Sequence, residues 1–201
     1  MTRDELDKRI NERLHQPMVL DGVELVEHAK QYALKMHGDQ KYGDQPYSVH
    51  LEDVESVLIE FDHISSTLRA AAWLHDLEDI FKLDSEESRE LFRSTMLNEF
   101  KDSSMKNYLY VIVEAVTSEP GKNRKERNAK TYQKIVNYRY AVIVKLADRI
   151  ANGRKSKASD PGKYSMYKKE YPEFRQIFYT SDIDILPMWW ELDRLFDFQG
   201  V

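Results

Sequence analysis

His75 and Asp76 follow directly on an apolar run, Ala70-Ala71-Ala72-Trp73-Leu74, and Glu78 and Asp79 come within three residues of the pair. Two ionisable side chains beside a packed face are costly unless a partner satisfies them. At about 100° per residue, a helix through this segment puts His75, Asp76 and Asp79 within one ~100° arc, with Glu78 on the other flank of His75. An imidazole and two carboxylates aimed at one point form a mixed N/O donor set. Such a set suits a borderline or hard divalent ion such as Mn²⁺, Fe²⁺ or Zn²⁺. A His-Asp dipeptide alone is a weak signal, and two further residues strengthen it. His50 stands at the polar end of a stripe formed by Val54, Val57, Leu58 and Phe61, and Asp148 interrupts the apolar run AVIVKLADRIA. An unpaired buried carboxylate is expensive, so Asp148 needs a partner. The plainer readings are a satisfied core or cap histidine at His50, and an ion pair of Asp148 with Lys145 or Arg149.

The elements that carry these residues read as helices. Asp21 with Glu24 forms a plausible N-cap pair, and Val26, Ala29, Ala33 and Met36 then recur at helical spacing up to Gly38. A polar loop spans Asp39 to Pro46. Ser48 is placed to cap the next helix, and another helix runs from about Ser65 to Ile80. Further helices are expected at about Ser85–Phe100, Lys106–Thr117 and Lys125–Val136. The stretch Tyr140–Ala151 has the apolarity of a buried strand. Its unbroken length, free of Gly and Pro, favours a buried helix. Asp160–Phe178 and Ile183–Phe196 close the chain. No Asn-Gly hairpin signal or sustained two-residue alternation occurs. The expected class is therefore all-α, with residues 1–20 as an N-terminal arm and 21–201 as one domain.

Composition narrows the partners. With 30 Lys plus Arg against 35 Asp plus Glu, the 201-residue chain carries a formal charge of −5, which argues against a general nucleic-acid coat. Two cationic stretches, Lys122–Arg127 and Arg149–Lys157, suit a small anion better than a polymer, or are simply solvated surface. Without cysteine there is no disulfide, zinc ribbon or thiol nucleophile. No apolar run approaches the ~20 residues of a membrane span, and the opening segment lacks a signal-peptide core, so a cytoplasmic protein is expected. Trp189 and Trp190 pack the last helix or a homodimer contact.

Four segments occur in order: HGDQKYGDQPYSVH (37–50), AAWLHDLED (71–79), EAVTSE (114–119) and VKLADRIANGR (144–154). From about Asp21 to Phe178 the chain resembles the HD-domain metal-dependent phosphohydrolases. Within them it is most similar to the RelA/SpoT-type (p)ppGpp hydrolases, including the small stand-alone alarmone forms. The resemblance implies an all-α HD-domain helical bundle. It also implies one divalent metal ion, commonly Mn²⁺ with Fe²⁺, Zn²⁺ or Mg²⁺ as alternatives, held by His50, His75, Asp76 and Asp148. In that family an acidic pair orients the attacking water, usually as HDxxED; here HDLED is one residue shorter. Helical register then assigns Asp79 to that role, with Glu78 as its assistant. The resemblance further implies nucleotide binding by Lys41, Asn152 and Arg154, while Tyr42 stands where a second basic residue is usual. The implied activity is (p)ppGpp 3′-pyrophosphohydrolysis in nucleotide signalling of the stringent response. Hydrolysis of another nucleotide or phosphate ester is an alternative, as is a non-catalytic nucleotide-binding module.

Overall fold

A computed structural model describes residues 18–199. In chain order the elements are α1 (Met18–His37), a two-stranded antiparallel hairpin β1 (Lys41–Tyr42) and β2 (Gln45–Pro46), α2 (Ser48–Glu60), α3 (Ser66–Leu74), the single turn α4 (Glu78–Phe81), α5 (Glu86–Glu99), α6 (Lys106–Val116), α7 (Arg124–Ile135), α8 (Arg139–Ser159), α9 (Pro161–Phe178) and α10 (Leu186–Leu195). The all-α class is thus observed. Most of the 1–20 arm lies outside the described residues. No described helix is long and apolar enough to cross a membrane.

The hub is α8, which packs against α2, α3, α6, α7, α9 and α10. Its apolar run, from Ala141 through Ile150, is buried almost without interruption, and this is why a stretch with strand-like composition holds as a helix in the middle of the bundle. Gly153 lets α10 close against it. A Cβ there would stand 2.5 Å from Leu195 Cδ2 and 2.9 Å from Phe196 Cζ, so only glycine fits without displacing two buried side chains. Side-chain caps fix three of the helix starts. Ser85 and Ser88 form a reciprocal capping pair at α5, Asn123 Oδ1 accepts from Glu126 N–H at α7, and Asp160 Oδ1 accepts from Lys163 N–H at α9.

Four expectations about local structure need correction. The first helix begins at Met18, so Asp21 lies inside it and is not its cap. Ser48 is the first residue of α2 and Tyr47 precedes it, without a side-chain cap. The 39–46 loop contains a hairpin with Lys41 opposite Pro46 and Tyr42 opposite Gln45, turned by Gly43 at φ +64°. Glycine supplies that left-handed turn at no steric cost, which is what permits a hairpin without an Asn-Gly signal. Lastly, the helix expected over 65–80 breaks at the His-Asp pair. His75 Nδ1 bonds the Ala72 carbonyl at 2.7 Å, the carbonyl that a continuing helix would offer to the Asp76 N–H. The chain then tightens, with Leu77 N–H donating to Leu74 O, and restarts at α4.

Candidate metal centre

Three segments of chain converge beside the middle of α8. His50 comes from the first turns of α2, His75 caps α3, Asp76 follows it in the break, and Asp148 lies mid-way along α8. His50, His75 and Asp148 are buried, and their ligand atoms all lie within 4.8 Å of one another. His50 Nε2 is 3.3 Å from Asp76 Oδ2 and 3.5 Å from Asp148 Oδ1. His75 Nε2 is 3.2 Å from the same oxygen of Asp76 and 3.8 Å from the same oxygen of Asp148. Donor atoms about 2.1 Å from a transition ion and separated by ~90–110° stand roughly 3.0–3.4 Å apart. The spacings are close to those of a coordination sphere.

The tautomer of His75 follows from its neighbours. A carbonyl oxygen can only accept, so Nδ1 carries the proton that goes to Ala72 O, and Nε2 is the nitrogen that faces the acids. Nε2 is buried and makes no well-directed hydrogen bond. Burial by itself would favour the neutral ring, but the Asp76 and Asp148 carboxylates outweigh it and raise the His75 pKa well above 6.5. Asp76 is pushed up by burial and then held well below the usual carboxylate range by His75 and His50. Asp148 is likewise held far below it, first by the Lys145 ammonium and then by the imidazoles. Lys145 Nζ donates to Asp148 Oδ2 at 2.7 Å and leaves Oδ1 facing the histidines. The Lys145 ammonium balances one carboxylate and the proton held by His75 the other, so a divalent ion would enter by displacing that proton. Two imidazoles, two carboxylates and an orphaned ring nitrogen fit a divalent ion.

Around the ligands, Tyr47 donates to Asp76 Oδ2 at 2.6 Å, and Asn152 Nδ2 donates to Asp148 Oδ1. Tyr42 donates to Asn152 Oδ1 at 2.8 Å and stacks on the His50 ring at 4.8 Å. A cleft of about 310 Å³ opens beside Tyr42 and Asn152, between the hairpin and α8–α9, with Lys155 and Lys163 on its walls. A volume of this size is at the lower end for small-ligand pockets.

The structure therefore brings His50, His75, Asp76, Asp148 and Asn152 together. The side chains of Glu78 and Asp79 lie outside the described residues. The single-arc reading of His75, Asp76 and Asp79 does not apply, because the helix is interrupted between them. Lys41 is exposed on β1, next to Tyr42. The Arg154 guanidinium is engaged by Glu60 at 2.6 and 2.8 Å and by Glu191 at 2.9 Å. Sequence reasoning did not foresee the Tyr47–Asp76 and Tyr42–Asn152 hydrogen bonds. Both phenols come from the 37–50 segment, whose aromatic content was the available signal. The ion pair weighed for Asp148 forms with Lys145, while Arg149 turns to Glu170 and Tyr132. No protein-family model and no curated protein matches the chain.

Proposed function

We propose that the protein is a metal-dependent phosphohydrolase acting on a nucleotide, with (p)ppGpp the first substrate to test. The observation that carries this reading is the approach of His50 and His75 Nε2 to 3.2–3.8 Å from Asp76 Oδ2 and Asp148 Oδ1, close to coordination-sphere spacing. A divalent ion, most simply Mn²⁺, supplies Lewis-acid polarisation of a phosphoryl oxygen and acidifies water when bound there. The chain's own residues supply the rest. His75 offers Nε2 because its other nitrogen is committed to Ala72, and Lys145 keeps Asp148 ionised. Lys155 and Lys163 line the adjoining cleft and offer cations to a phosphate, against Asp44 and Asp160 in the same lining. By the resemblance, Asp79 orients the attacking water with Glu78 assisting and Lys41 and Asn152 contact the nucleotide, while Arg154 would reach it only by leaving Glu60 and Glu191. This fits the motif order in the sequence.

A second substrate class has an observation of its own. Tyr42 occupies the place of a cation and spends its one proton on Asn152, so it has none to donate to a phosphate. That favours a nucleotide or phosphate ester with fewer charges on this side. The purified protein with Mn²⁺ should release pyrophosphate from ppGpp, or phosphate from another member of a nucleotide panel, as read by chromatography. Binding of a nucleotide without turnover in any divalent metal would reduce the proposal to a binding module. Neither binding nor turnover across the panel would overturn it.

A further inference from the structure

His50 lacks the support that a ligating imidazole ordinarily has. Such a ring usually donates its second N–H to a carboxylate or carbonyl, which fixes its orientation. In His50, Nδ1 is buried and has no hydrogen-bond partner. What holds the ring is aromatic packing, with Tyr42 stacked at 4.8 Å and an interplanar angle of 29°, and Tyr47 edge-on at 5.7 Å. The same Tyr42 reaches α8. Its hydroxyl donates to Asn152 Oδ1, and the Asn152 amide then has its Nδ2 turned to Asp148 Oδ1. The opposite flip would set the amide oxygen against a carboxylate and leave the phenol proton facing an NH₂ group. Asp148, which can only accept, sets the amide orientation, and the phenol donates to the amide oxygen left on the other side and so braces the Asn152 side chain against Asp148. The hairpin that delivers Tyr42 is pinned from two sides, by Gly43 in its left-handed turn and by Lys155 Nζ donating to Gln45.

We infer that Tyr42 is a positioning residue for the metal centre, setting Asp148 through Asn152 and holding His50 by stacking. This inference rests on the metal-binding reading above. It concerns a residue type that the motif resemblance does not supply at this position, so the device belongs to this chain.

The test is Mn²⁺ affinity by calorimetry, with thermal melting of the metal-free proteins alongside. Tyr42→Phe keeps the ring and loses the hydroxyl, and should weaken Mn²⁺ binding about 10-fold, the lower end of what outer contacts to metal ligands cost. Tyr42→Leu also loses the stack and should weaken it further. Asn152→Ala should weaken it about 10- to 100-fold. Since the hydroxyl acts through that amide, adding Tyr42→Phe to Asn152→Ala should cost no more than about 2-fold extra, the limit of independent behaviour. The metal-free melting temperature of Tyr42→Phe should stay near that of the wild type, which a merely architectural role would not allow. Wild-type Mn²⁺ affinity in Tyr42→Phe, or losses that add in full with Asn152→Ala, would overturn the inference and leave the metal centre standing. Absence of Mn²⁺ binding in the unmodified protein would overturn both.

Discussion

Replacing His75 with alanine is expected to abolish Mn²⁺ binding and, with it, any release of phosphate or pyrophosphate. His75 is 2% exposed, and the Ala72 carbonyl fixes which of its nitrogens faces the acids. The loss removes one of four donors and leaves Asp76 and Asp148 facing each other across the space. Removing an outer contact to a metal ligand already costs 10- to 100-fold, so losing a ligand outright should cost at least about 10³-fold in affinity. Calorimetry reads the affinity and chromatography the turnover. Circular dichroism separates this from unfolding, because the freed Ala72 carbonyl can take the Asp76 N–H and extend α3. Retention of wild-type Mn²⁺ affinity and turnover in His75→Ala would contradict the assignment.

The second large effect is expected on stability rather than on metal binding. Arg149 is 2% exposed on α8 and lies between the rings of Tyr167 and Phe174, with its guanidinium carbon 4.9 and 4.7 Å from their centroids. Its charge is answered by Glu170, which accepts from Arg149 Nη1 at 3.1 Å and also from Arg124 Nε at 2.7 Å. Glu170→Gln keeps the shape and removes the charge. Breaking a buried pair by deleting one partner costs ~3–5 kcal/mol; because Glu170 and Arg124 are partly exposed, about 3 kcal/mol is expected. For a domain of this size that is a fall of roughly 6–12 °C in Tm.

The pH dependence of that effect has a definite sign. Burial pushes the Glu170 carboxyl up, but Arg124 and Arg149 outweigh it and hold its pKa below the ordinary 4.5. A depressed carboxylate contributes stability that is fully present above its unfolded value and lost as pH falls through its folded one. The gap between wild type and Glu170→Gln should therefore be full at pH 7 and should shrink once the pH drops below 4.5. Urea melts across that range measure it. A gap that widens on acidification, or is missing at pH 7, would contradict the account.

The bundle was legible in the sequence where one periodicity spoke alone. Val54, Val57 and Leu58 mark the inner face of α2, and Ser85 and Asp160 mark helix starts; all behave as read. Asp148 was conspicuous because a carboxylate in AVIVKLADRIA must be answered, and its answer, Lys145, lies three residues away on the same helix. The break after His75 was not legible. It depends on a side chain competing for a backbone carbonyl, and a helical wheel contains no such competition. The hairpin escaped for a related reason. Two-residue strands leave no alternation to detect, and Tyr42 shows its purpose only when Asn152, 110 residues later, is beside it. Arg154 illustrates the limit of reading charge alone, since its carboxylate partners, Glu60 and Glu191, come from helices distant in sequence.

The most direct test of the metal centre is crystallographic. Crystals grown with Mn²⁺ and measured at its absorption edge should give one strong anomalous peak per chain, about 2.1–2.3 Å from His50 Nε2, His75 Nε2, Asp76 Oδ2 and Asp148 Oδ1, the contact distance of a transition ion with N and O donors. A peak elsewhere, or none at this cluster despite saturating Mn²⁺, would contradict the account.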